Sequence, residues 1–495
     1  MARDSIPLLS KSRFTSGLQC LRKLYLTCYQ PDLGAPPDSA QQALFDAGAR
    51  VGEIARELRP GGVLIDEPYD GHREAVDRTG ALLGQDDVPA IYEAGFTEDG
   101  VRIRVDILAR TSRGSWDLIE VKSSASTKGE HIPDAAVQLL VVEKAGLTVN
   151  KIGLAHINRD YVYPGGDYEA DRLLVVDNIT DDVRAYAESL LGELNAMRRA
   201  LAEDEPPDIA VGSHCAIPYK CEFYVHCRRR EPDWSIEELP RLTSAMREDL
   251  RASGIRSILD IPSDQRLTPV QERARQSVIA DRPQASPSLI SELDRIVAPA
   301  HFVDFETLSP ALPVYPGTRP YETVPFQWSD HVLQKDGSIS HSEFLAEGSD
   351  DPRAEFAETL IAQLKGAATI VAYSSYERTC LRALTEALPG WRSALNRMRS
   401  RPWVDLLEIV RGHFYHRDFH GSFSIKSVLP ALAPEFGYED LTIQDGNLAA
   451  VAFIESINPE TKPERREQLR RDLLAYCRRD TEAMLRVVEA MRASN

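Results

Sequence analysis

The sequence predicts an α/β protein of several domains, and three observations predict it. The chain has 495 residues, enough for about three folding units at ~150 residues each. Segments with an apolar residue at every second position alternate with segments of helical period, as sheets flanked by helices require. Hydrophobic residues make up 43% and charged residues 27%, a mixture that can bury a core and keep a polar surface.

Composition also excludes functions. Lys and Arg number 58 against 76 Asp and Glu, a formal net charge of −18, so the chain does not coat nucleic acid by bulk charge. Contact with DNA or RNA must come from local basic patches. No apolar run approaches the ~18 residues of a membrane span, so no membrane partner is expected. The opening MARDSIPLLSKSRFT has no apolar signal region, and a cytoplasmic location follows as the expectation. Seven cysteines do not suggest a disulfide framework and fit a reducing compartment.

Three regions are expected. Residues 1–235 mix helical and strand patterns and end in a cysteine-rich stretch followed by Arg228, Arg229 and Arg230. Residues 236–297 read as helices only. SAMREDLRASGIRSILDIP suggests a helix, a Gly-Ile turn and a second helix, with LTPVQERARQSVIA as a third, so this region is expected to be a helical linker. Residues 298–495 form a second α/β region, opening on the buried strand AHFVDFE.

In the first region, VRIRVDIL alternates as a half-buried strand should, TSRGS makes a turn, and WDLIEVKSS follows as the second strand of a hairpin. Residues two apart on a strand share a face, so Glu120 and Lys122 point the same way, and Asp106 can face them across the hairpin. Two carboxylates and a lysine at a sheet end can bind Mg²⁺ or Mn²⁺ and orient a water. Without further support the pattern describes an ordinary hairpin with an ion pair. Support comes from the helix LFDAGARVGEIARELRPGG, which carries Glu53, and the helix DAAVQLLVVEKAGL, which carries Gln138. Together these residues resemble the PD-(D/E)XK nuclease superfamily, in particular RecB-like and CRISPR-adaptation nucleases with an iron–sulfur staple. The resemblance implies a restriction-endonuclease-like domain in which Asp106, Glu120 and Lys122 are catalytic. It also implies a helical acid, here Glu53 where many relatives have His, and a supporting Gln138.

Cys215, Cys221 and Cys227 are spaced by five residues, and Cys20 lies far upstream. The wide spacing fits a structural zinc knuckle poorly, and four thiolates fit a 4Fe–4S cluster. A zinc site and unrelated buried thiols stay open as alternatives. The nuclease resemblance implies the cluster, with one N-terminal cysteine and three after the core. Cys28 is the other candidate for the fourth ligand. Cys20 is preferred because F-x5-C-x-R-K-x-Y/W is how such nucleases begin. His214 and His226 flank the cluster as outer groups, and Cys380 and Cys477 are expected to be small core residues.

In the third region, FVDFET puts Asp304 and Glu306 on one face of a buried strand, which is costly unless a cation joins them. Glu377 opens the helix after ATIVAYSS, Asp405 ends the strand of RPWVDLLEIV, and Tyr476 and Asp480 share a face of the last helix. This ordered set resembles the DEDD 3′–5′ exonucleases of the RNase H-like fold. The resemblance implies that the acids hold two metal ions and that Tyr476 positions a water. Where that family has Asn-x3-Asp, this chain has Tyr373-x3-Glu377. Asp405 is read as a supporting carboxylate or a strand-end cap.

The whole chain resembles a group of bacterial RecB-like nucleases, and a divalent-metal-dependent deoxyribonuclease acting on single strands or ends is expected. RNA is the alternative substrate. A nucleic-acid-binding or assembly subunit of a helicase or defence complex, with one or both sites inactive, is the alternative class. Arg228–Arg230, Arg397, Arg399 and Arg401 are the candidate phosphate contacts. The helical stretch faintly resembles a helix-hairpin-helix module, which grips phosphate through backbone N–H groups.

Overall fold

Alternating and β-branched segments form the strands, and the structure, a computed structural model, describes residues 6–348 and 350–494. It divides into two compact units. The first comprises Met1–Arg230 and Pro310–Tyr321, and the second comprises Glu231–Ser309 and Glu322–Asn495.

The first unit is built on a mixed seven-stranded sheet. Its strands are β1 (Leu9–Ser10), β2 (Val63–Leu64), β3 (Ala90–Glu98), β4 (Val101–Arg110), β5 (Trp116–Val121), β6 (Val149–Ile157) and β7 (Leu174–Asn178). The order is β2-β3-β4-β5-β6-β7, with β1 added beside β4. The β3–β4–β5 part is antiparallel, and β6 runs parallel to β5. The β3–β4 turn is Asp99-Gly100, with φ of 49° and 73°, the left-handed pair that a two-residue hairpin needs. Val105, Leu108 and Leu118 from the sheet share one core with residues of helices His131–Lys144 and Thr180–Ala202, among them Val137, Val141 and Leu194. A second core includes Ile107, Ile119 and Ile157, and Ala311, Leu312 and Tyr321 of the Pro310–Tyr321 segment pack against it. That segment also exchanges backbone bonds with Tyr163, whose N–H donates to the Thr318 carbonyl (3.0 Å) and whose carbonyl accepts from the Gly317 N–H (2.7 Å).

The second unit centres on a five-stranded sheet. A two-stranded ribbon joins β8 (Gln284–Ala285) to β14 (Phe414–Tyr415). The main strands are β9 (Ala300–Leu308), β10 (Val324–Leu333), β11 (Ile339–Leu345), β12 (Thr369–Ala372) and β13 (Trp403–Asp405), in the order β11-β10-β9-β12-β13. The first three are antiparallel neighbours, and β12 and β13 run parallel to β9. Helix Pro463–Ala493 packs on β9 and β10 through an apolar face that includes Leu473, Cys477 and Met484.

Residues 236–297 are not a separate linker. Ile236, Leu250, Ile258, Ala274, Val278 and Leu293 are buried in the second unit, and β8 pairs with β14. The expected helix–Gly-Ile–helix pattern is also not realised. Helix Ser244–Ala252 is followed by Gly254, with φ of 78°, and SILD forms only the three-residue 3₁₀ turn Ile258–Asp260.

Candidate metal centres

The hairpin register sets the first centre. Ile107 pairs with Ile119, so Asp106 and Glu120 stand opposite each other one step further on. On the other side of β4, Tyr92 pairs with Ile107 and Ala94 with Val105, which puts Glu93 opposite Asp106. Three acids thus lie in a row across three strands. Glu93 has φ of 57°, a left-handed conformation inside a strand that a non-glycine residue adopts only under strain.

Side chains from two helices close over this row. Gln138, on helix His131–Lys144, donates to Glu120 Oε2 (2.6 Å). Lys122 lies 2.7 Å from Glu120 Oε1 and also donates to Asp134 Oδ2. Lys11, the first residue of helix Lys11–Gln19, donates to Glu120 Oε1 (2.8 Å). Asp106 Oδ2 accepts from the Val121 N–H (2.7 Å). Glu120 is 1% exposed, so its charge is tolerable only beside such partners.

The electrostatics follow from this crowding. Burial would raise the Glu120 pKa, but the Lys11 and Lys122 ammonium groups hold it well below the usual carboxylate range. Burial first, and then the Glu120 charge, pushes Asp106 up to about 7. Burial also raises Glu93 and Asp134. Burial works against both lysines, yet the facing carboxylates hold their pKa values above the ordinary range. Four acids face two ammonium groups, and Asp134 Oδ1 and Gln138 Oε1 are buried without a hydrogen-bond partner. Asp106 and Glu120 are the residues that would hold a hard divalent cation here, in competition with Lys11, Lys122 and Gln138 for the Glu120 oxygens.

Glu53 does not join them. It lies on helix Ser39–Ala55, whose core face is Val51, Ile54 and Ala55, and it makes a surface pair with Arg50 (2.6 Å). Lys11, Glu93 and Asp134 complete the centre instead. Of these, Asp134 had a sequence signal, one helical turn before Gln138.

The four cysteines meet beside the N-terminal helices. Cys20, Cys215, Cys221 and Cys227 line one small cavity walled by Ile209, Val211 and Phe223. Cys28 instead packs against the main core of the first unit. Burial raises the thiol pKa of Cys20, and that of Cys221 up to about 11. Hydrogen bonds tie the same elements together. Tyr25 donates to the Asp204 carbonyl (2.6 Å), Arg22 to the Pro207 carbonyl (3.0 Å), and Gln19 to the carbonyls of His214 (2.8 Å) and Tyr219 (2.6 Å). Four thiols, one from the N-terminal helices and three from the stretch 215–227, line one cavity and would be the residues to hold an iron–sulfur cluster.

The second unit forms its own centre. Asp304 and Glu306 rise from β9, while Tyr476, Cys477 and Asp480 descend from helix Pro463–Ala493. Glu377 enters from the first turn of helix Tyr376–Ala387. Cys477 is a buried core residue, as expected, and it also borders the acids: its thiol donates to Asp304 Oδ2 (3.6 Å) and to the Asp304 carbonyl (3.7 Å), and Asp304, Glu306 and Cys477 present ligand atoms within 4.8 Å of one another. Asp480 Oδ1 accepts from the Tyr438 hydroxyl, and Lys426 donates to the Tyr476 hydroxyl (3.2 Å). Burial, reinforced by Asp480, pushes Asp304 up to about 8, and burial with the Asp304 charge raises Glu306 and Glu377. Burial also raises Asp480. Glu377 Oε2 is buried without a hydrogen-bond partner, so this donor set too fits a cation.

Asp405 is a cap: its Oδ1 accepts from the Glu408 N–H (3.0 Å) at the start of helix Leu406–His413. Beside the centre, Arg241, Arg411, Lys426, Tyr373 and Ser424 line a cleft of about 540 Å³. Among the candidate phosphate contacts, Arg401 instead donates to the carbonyls of Ala367 and Lys365, and Arg230 pairs with Asp208.

Residues 301–424 match a family model described as a domain of unknown function (DUF2779). The matched span holds Asp304, Glu306 and Glu377 and ends before Tyr476 and Asp480. A comparison with curated proteins yields no match. Among solved structures, the crystal structure of SSO0001 is similar at 16% identity, covering 40% of this chain and 81% of its own, with a TM-score of 0.20. No helix among the described residues is long and apolar enough to cross a membrane.

Proposed function

We propose that this protein is a divalent-metal-dependent nuclease that hydrolyses DNA phosphodiester bonds at single strands or ends. One observation carries the reading: Asp106, Glu120, Lys122 and Gln138 converge from a hairpin and a helix on one buried acidic point. A strained Glu93 borders it, and such strain persists where a site requires it. In this reading Asp106 and Glu120 hold Mg²⁺ or Mn²⁺, which when bound lowers the pKa of a water and neutralises phosphate charge. Gln138 fixes the Glu120 carboxylate. Lys122 stands beside the acids, where an ammonium steadies the attacking water or the charge developing on the phosphate. Cys20, Cys215, Cys221 and Cys227 hold a 4Fe–4S cluster that closes the domain.

The second unit is read as an exonuclease-like, RNase H-like domain, with Asp304, Glu306, Glu377 and Asp480 as its acids. The cleft lined by Arg241, Arg411 and Lys426 supplies cations for a phosphate backbone beside them, and its volume lies in the ~300–1,000 Å³ range of ligand sites.

A second reading has its own observation. Lys11 already places an ammonium against Glu120, the charge that a metal would bring, which favours a structural first centre in an assembly subunit of a nucleic-acid complex. The test is cleavage of end-labelled single- and double-stranded DNA and RNA by the anaerobically purified full chain. Cleavage that requires Mg²⁺ or Mn²⁺ and is lost in Glu120→Gln supports the nuclease. Cleavage of RNA only would redirect the substrate. No cleavage of any substrate with metal present favours the assembly subunit.

A further inference from the structure

We propose that the centre of the second unit is a mixed thiolate–carboxylate metal site, in which Cys477 joins Asp304 and Glu306 on a borderline-soft divalent ion of the Zn²⁺ or Co²⁺ class. The proposal rests on the reading above only in taking these acids as the second unit's site, and it assigns them an ion; it does not depend on cleavage.

Geometry carries it. Ligands on one ion lie at about 2.3 Å for sulfur and 2.0–2.2 Å for carboxylate oxygen, so two tetrahedral neighbours of these kinds are about 3.6 Å apart. Cys477 Sγ and Asp304 Oδ2 are 3.6 Å apart, and the Glu306 oxygen lies within 4.8 Å of both. A further acid, Glu377, enters from the first turn of helix Tyr376–Ala387. Its side chain is buried, 4% exposed, and its Oε2 has no hydrogen-bond partner. A buried carboxylate oxygen left unpaired among other acids calls for a cation.

The thiol decides which cation. Mg²⁺ takes oxygen ligands in a near-ideal octahedron and has no use for sulfur. Thiolate ligands select softer ions, and a tetrahedral S,O set suits Zn²⁺ or Co²⁺. Cys477 cannot swing away to leave an all-oxygen site, because it is fully buried where helix Pro463–Ala493 packs on β9. Ligation is balanced simply: the metal–sulfur bond forms as the S–H bond breaks, and the proton leaves to solvent.

The experiment uses the full chain, prepared anaerobically, titrated with Co²⁺ and followed through the thiolate-to-cobalt charge-transfer absorbance. The other cysteines are present in every sample, so their contribution cancels in the difference between wild type and Cys477→Ser. The expected result is a band in wild type that is missing from C477S and from Asp304→Asn, with Zn²⁺ affinity falling about tenfold or more in C477S and Mg²⁺ affinity unchanged. Identical Co²⁺ spectra for wild type and folded C477S would overturn the proposal. Should C477S fail to fold, an undiminished band in folded D304N would overturn it equally. A wild-type band without any cleavage counts against the nuclease reading only, and cleavage without the band counts against the thiolate only.

Discussion

Glu120 keeps its charge in a buried place because three donors surround it, so single substitutions there separate stability from chemistry. Lys122→Ala leaves Lys11 and Gln138 in place, and the fold should survive with a loss of about 1–3 kcal/mol in the absence of metal. Cleavage should fall by about two orders of magnitude or more, measured on labelled DNA. Asp106→Asn should do the opposite to stability. It removes a carboxylate that burial holds near neutrality, so the metal-free chain should unfold at higher denaturant while cleavage is lost. An unchanged or lower midpoint would show that Asp106 is well accommodated as an anion. The sequence made Asp106, Glu120, Lys122 and Gln138 legible because one hairpin and the helix after it carry them. Lys11 and Glu93 were hidden, since only the sheet's wider pairing brings them close. Glu53 misled because a helix face is set by packing, and its neighbours Val51 and Ile54 turned it outward. Cys477 is the core residue that was expected, and what went unread is that three residues before Asp480, on the same helix face, it also meets the acids.

Elements carry the next level of consequence. Helix Lys11–Gln19 has a candidate catalytic-site lysine at its start and is followed directly by Cys20. Cys221→Ala should therefore destabilise the first unit more than the second, read by hydrogen exchange on the full chain, and should lower cleavage by loosening Lys11. Equal loss of protection in both units would count against a local clasp. In the second unit, the last helix buries Thr481 against His331, whose Nδ1 lies 2.8 Å from its hydroxyl. Burial, then His341, Arg478 and Arg486, lowers the His331 pKa to about 4. The imidazole stays neutral in the fold, while the unfolded chain protonates it near ~6.5. Its stabilisation is thus present above ~6.5 and is lost as pH falls towards 4. The difference in unfolding free energy between wild type and His331→Gln should shrink by up to roughly 3 kcal/mol across that window. A pH-independent difference would mean that His331 titrates normally. Strands and long helices of this unit were legible from periodicity. In the first unit the β4–β5 hairpin was equally legible, since TSRGS between two alternating segments is a turn signal. The second helix of the Gly-Ile pattern was not, because three buried residues of SILDIP tighten into a turn instead of propagating.

At the scale of the molecule, the units are not successive stretches of chain. Pro310–Tyr321 belongs to the first unit although β9 and β10 of the second unit flank it. A fragment ending at residue 235 would leave the core face met by Ala311, Leu312 and Tyr321 uncovered. Such a fragment should be less stable than the same unit within the full chain and should bind a hydrophobic dye more strongly. Equal stability would show the segment to be dispensable. The sequence placed the boundary at 235 because composition changes there, and nothing local marks a loop whose packing partners lie some 150 residues upstream.

That loop has a genetic meaning as well. Two domains joined end to end can be gained, lost or exchanged by one recombination event. Here no single cut in the gene yields two intact products, since any break that frees one unit strips a piece from the other. Exchange of either unit by recombination would therefore need at least two crossovers, placed around the codons for Pro310–Tyr321.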